Sequence, residues 1–114
     1  MSVAILLERL SNSPDEVNFD EVIAVINDFY HYTPTRFVNG DAVNEQGTNE
    51  GSCKIFAFAK LNGLSEQATL ACFGHYYRED VLEHPEANDH ANIRNFMVSG
   101  WAGVSFDAPA LTLL

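Results

Sequence analysis

The chain has 114 residues, 46% of them hydrophobic, with eight Phe, four Tyr and one Trp. That size and composition describe one folded domain with a real core and exclude a disordered chain. Six Lys and Arg stand against 16 Asp and Glu, a net charge of -10, which excludes the clustered cations that a nucleic-acid backbone or an anionic membrane surface needs.

Val3 to Leu10 reads as a short helix, because Val3, Leu6, Leu7 and Leu10 fall on one face. Ser13-Pro14-Asp15-Glu16 and Asn18-Phe19-Asp20-Glu21 are successive helix-start signatures. The second helix is expected from about Phe19 to Tyr30, with Phe19, Val22, Ile23, Ile26, Phe29 and Tyr30 as its apolar stripe. Pro34 breaks the helical pattern. "RFVNGDAV" then predicts a short extended element near residues 36–43, with Asn39-Gly40 at a turn. Residues 39–52 carry Gly40, Gly47 and Gly51 beside Asn39, Asn44 and Asn49. They read as one long loop, of the kind that is usually functional when it is ordered.

Ser52 is a candidate cap for a third helix from Cys53 to about Asn62, stopped by Gly63. Ser65 caps a fourth, and Thr69, Leu70, Phe73, Tyr77 and Val81 keep its period as far as His84-Pro85. Asn88-Asp89 is the expected cap of a fifth helix, from about His90 to Ser99, which buries Ile93, Phe96 and Met97. Trp101, Val104 and Phe106 suggest a short strand or an extended tail over the core. The expected fold is mainly α, an α+β arrangement with minor strand content. About five helices surround one aromatic core in a single domain spanning 1–114.

The acidity is uneven. Residues 1–50 hold nine acidic and two basic groups, and residues 51–114 hold seven and four, so the first half is better suited to a basic partner. Two cysteines are too few for a disulfide framework and suit a reducing compartment. No segment has the roughly 20 apolar residues that cross a bilayer, and "VAILLERL" is too short and interrupted for a signal peptide. The bacterial cytoplasm is the expected location, with no cofactor, no nucleic acid and no membrane.

Several residues are candidates for chemistry. A thiol in a helix's first turn, as expected for Cys53, sees unpaired N–H groups that favour thiolate, and Lys54 adds a cation. The stretch before it is similar to the nucleophile loop of papain-like cysteine proteases, although Gln46 lies seven residues upstream and Lys54 stands where that signature has an aromatic residue. A base would have to come from His75, His84 or His90. His84, Glu86, Asp89 and His90 could approach a divalent metal, but no third ligand is fixed by spacing, and helix capping explains the same residues, so no metal is expected. Tyr76, Arg78, Arg94 and Trp101 are of the types that anchor protein interfaces.

Four long strings, "YTPTRFVNG", "NEGSCKIFAFAKLNGLS", "TLACFGHYYREDVLEHP" and "DHANIRNFMVSGW", resemble the HopJ type III effector family over nearly the whole chain. The resemblance implies a small effector-like protein for which secretion through a type III system is open, and it supplies no biochemical activity. The leading expectation is a protein-interaction module. Asn39, Asn44 and Asn49 of the loop would form its contact surface, with Tyr76, Arg78, Arg94 and Trp101 as further binding residues. The alternative is a cysteine hydrolase using Cys53 with a histidine, His84 or His90.

Overall fold

The computed structural model describes all residues, 1–114. Helix α1 (Val3–Asn12) starts where Ser2 Oγ accepts from the Ile5 N–H, and it buries Leu6 and Leu10. A 3₁₀ turn (Pro14–Glu16) leads to α2 (Phe19–Phe29). There Asn18 and Glu21 form a capping box, each side chain bonding the other's backbone N–H. The α2 face turned inward is Val22, Val25 and Ile26, while Phe29 is partly in solvent.

Helix α3 (Glu50–Leu61) is the centre of the molecule. It buries Cys53 and every residue from Ile55 to Ala59. A helix apolar nearly all round must be covered on all sides, and the other elements do this. The Phe56 ring meets Phe37, Phe73, Phe96 and Trp101 at centroid distances of 6.1, 5.4, 5.0 and 6.3 Å. The core cluster holds 22 buried residues drawn from both ends of the chain.

Two small antiparallel sheets flank this core. Strand β1 (Tyr30–Tyr32) pairs with β5 (Leu111–Leu113), Tyr30 opposite Leu113. Strand β2 (Phe37–Asn39) forms a hairpin with β3 (Ala42–Asn44), and its other edge takes β4 (Val104–Phe106), giving the order β3-β2-β4. The extended element near 36–43 is therefore a true hairpin. Its two-residue turn is Gly40-Asp41, and Gly40 has the positive φ of 62° that such a turn needs.

Four expectations are corrected. The long loop over 39–52 holds β3 and the start of α3, leaving only residues 45–49 between them. Helix α3 begins at Glu50 with Asn49 as its cap residue, so Cys53 lies one turn inside and its N–H already bonds the Asn49 carbonyl at 2.9 Å. The fourth helix is not continuous. Helix α4 (Glu66–Ala71) ends, the chain turns at Gly74, and a π-helical turn follows (Tyr76–Val81). Gly74 has φ 60°, and a Cβ there would stand 2.7 Å from the Phe19 nitrogen, so close approach of two backbones sets the break. Helix α5 (Ala91–Ser99) is preceded by His90 in the left-handed region, and the expected Asn88-Asp89 cap is not used.

Candidate functional site

The inner face of the β2–β3 hairpin carries amides where a core would carry hydrocarbon. Asn39 shares the inward phase of Phe37, and Asn39, Asn44 and Asn92 are all buried. Asn92, in the first turn of α5, accepts at Oδ1 from Asn39 Nδ2 and Asn44 Nδ2, each at 3.1 Å. Its own Nδ2 donates to Asn44 Oδ1 at 2.9 Å. Asn39 Nδ2 also donates to the Asn92 carbonyl at 2.8 Å. Asn49 Nδ2, from the residue before α3, donates to Asn44 Oδ1 at 2.7 Å. Asn39 Oδ1 alone lacks a protein partner. Buried amides are tolerated only when so paired. The network fastens the hairpin to the beginnings of both α3 and α5.

A recess of about 600 Å³ opens above this network. It is lined by strand β3, by Phe19, Phe73 and Tyr76, by Gly51 and Ser52 of α3, and by Ala91, Asn92 and Ile93 of α5. Phe19 and Tyr76 meet edge to face at 5.1 Å. His90 lies on Tyr76 at 5.2 Å and holds Asp80 Oδ2 through Nε2 at 3.0 Å. Arg94 fixes the preceding connector: it donates to the Asp89 carbonyl at 2.6 Å and to Asp89 Oδ1 at 2.7 Å. That hydrogen bond holds the Asp89 carboxyl below its ordinary range.

The fold thus brings Asn44, Asn49, Tyr76 and His90 to one opening, although they are separate in sequence. Asn39 stands behind it in the network, and Arg94 braces its rim. The other candidates lie elsewhere. Arg78 donates to the carbonyls of Val17 at 2.7 Å and Pro14 at 3.3 Å, tying the π-helical turn to the entry of α2. Trp101 bonds the Leu64 carbonyl at 3.1 Å and packs on Phe56 and Phe96. His84 is exposed on the connector.

Cys53 is 1% exposed, and its Sγ faces the Thr35 carbonyl at 3.7 Å. Burial pushes its thiol up, outweighing the Tyr32 hydrogen bond and the Lys54 charge that lower it. The groups acting on it are Tyr32, Thr35, Glu50 and Lys54, and none is an imidazole. The cysteine-hydrolase alternative finds no support in this geometry. Nor do His84, Glu86, Asp89 and His90 converge, since no three His, Cys, Asp or Glu side chains gather in metal-binding geometry.

Sequence reasoning missed Asn92, Phe19 and Val43 as parts of this site. Asn92 was visible in principle: it lies four residues before Phe96, on the same buried helix face. Nothing local marks Phe19, because its role at the recess depends on the Gly74 approach.

These features define a small, mainly helical α+β domain whose amide-bonded hairpin and aromatic residues frame one recess. The chain belongs to the HopJ type III effector protein family, whose model matches residues 3–111. It is similar to a protein of unknown function, VPA0580, known from its crystal structure, with 54% sequence identity and a TM-score of 0.99. The match covers 100% of this chain and 95% of the other. No curated protein matches the chain.

Proposed function

We propose that this chain is an effector-like protein-interaction module whose contact surface is the recess between the beginnings of α3 and α5. The observation that carries this reading is the convergence there of Asn44, Asn49, Tyr76 and His90, set on a buried amide network. Preorganised walls of this kind lower the ordering cost of binding. Tyr76 supplies an amphipathic ring of the type that anchors interfaces. The family's description as type III effectors supports action on another protein, and export by a type III system is part of the reading.

A photo-crosslinking residue placed at Val43, on the recess, is the test. The control is the same residue at Leu113, which is 75% exposed and belongs to the other sheet. The expected result is a discrete adduct from position 43 that disappears with Tyr76→Ala and does not form from position 113. Equal adducts from both positions, or none from 43, would overturn the reading.

A further inference from the structure

We infer that the partner presents a basic segment in extended conformation, which adds to β3 as a fourth strand and lies over the recess. This rests on the recess being the contact surface. In the order β3-β2-β4, strand β3 is an edge. The Gly40 N–H bonds the Gly103 carbonyl, and the Asp107 N–H bonds the Arg36 carbonyl. Backbone groups of residues 36, 38 and 40 therefore face β4, and those of Phe37 and Asn39 face Asn44 and Ala42. By the same alternation, the N–H and C=O of Val43 point away from the sheet. Val43 is 53% exposed. An unpaired edge of this kind is a template for a further strand.

Charge selects the occupant. Asp41 and Glu45 flank β3, Glu50 begins α3, and Asp80 and Asp89 stand at His90. Arg36 offsets Glu45 and Arg94 offsets Asp89, which leaves Asp41, Glu50 and Asp80 with no Lys or Arg partner and the margin net negative. A basic peptide complements this charge, with its backbone on the Val43 edge and Lys or Arg side chains toward the carboxylates. An acidic peptide of the same length meets the rim with like charge.

The test uses three capped synthetic peptides and the full chain, followed by amide chemical shifts at about 0.15 M salt. The first alternates Lys and Val. The second is the same Lys-Val peptide methylated at every backbone nitrogen, keeping the charge but lacking the donors a new strand needs. The third alternates Glu and Val. The expected result is that Lys-Val shifts Val43 and the first turns of α3 and α5, and binds at least about fivefold more tightly than either other peptide. Equal binding of both basic peptides, with shifts scattered over the surface, would overturn the strand. Binding of Glu-Val at Val43 as tightly as Lys-Val would overturn the charge selection while leaving the recess as a contact surface. If no peptide shifts Val43 although the position-43 crosslink forms, the inference fails and the broader reading stands.

Discussion

Asn92 is the residue on which the hairpin and α5 depend together. It accepts two amide hydrogen bonds and donates one, all in the interior. Asn92→Ala should cost about 2 kcal/mol, because it leaves the Asn44 Nδ2 donor unpaired away from water. The midpoint of urea unfolding measures this, and a loss below about 0.5 kcal/mol would mean that the remaining amides re-pair. The cysteines give a second test. Burial pushes the Cys72 thiol up to about 12 and raises that of Cys53. Both should resist a thiol reagent at pH 8 until the chain unfolds, since a neutral buried thiol is a poor nucleophile. The linkage sign follows from the raised values. The stabilisation is complete below the ordinary thiol range near 9.0 and is lost as pH rises toward about 12 for Cys72. Rapid labelling of Cys53 in the folded protein would reopen its case as a nucleophile.

Among the elements, the break between α4 and the π-helical turn has a specific cause in Gly74. Gly63 offers a matched control: its φ is 62° against 60° at Gly74, but nothing stands within 4 Å of a Cβ placed there. Gly63→Ala should cost only the backbone strain, about 1 kcal/mol. Gly74→Ala should cost well over that, because the new methyl meets the backbone of Asn18 and Phe19. Equal losses in thermal unfolding would show that the backbones can separate freely. The connector before α5 carries a pH dependence of its own. Asp89 is held below its ordinary range by Arg94, so its contribution is present above the ordinary carboxylate range and fades as pH falls through the lowered value. The protection factors of the amides in residues 85–90, taken relative to intrinsic exchange at each pH, should fall on acidification to about pH 3, and Asp89→Asn should remove that change. A connector whose protection factors do not respond to pH would rule out the Arg94 tether as its brace.

At the scale of the whole molecule, the charge of -10 sets solution behaviour more than fold. Raising ionic strength from about 0.01 M to about 0.15 M should raise the melting temperature by a few degrees, because salt screens self-repulsion among the carboxylates. A fall instead would mean that pairs such as Arg9–Glu21 dominate the balance. Hydrophobic period made α1 and most of α3 legible, and capping chemistry made α2 and the start of α4 legible, since Asn18 and Ser65 act within three residues of their partners. The strings from "YTPTRFVNG" to "DHANIRNFMVSGW" also carried the family, which the match over residues 3–111 shows. The pairing of β1 with β5 left no trace, because three-residue strands have no period to read and their partners lie about eighty positions apart. The recess was equally hidden. Asn44, Asn49, Tyr76 and His90 could each be singled out by type, but only the Gly74 approach and the buried amides bring them to one opening. Local sequence determined where most helices lie and much of the apolar core, because those depend on neighbours a turn away, although Asn39 and Asn44, expected in a contact loop, are buried and Met97, expected in the core, is 44% exposed. Tertiary structure alone decided which polar groups meet, because their partners are supplied by packing across the core.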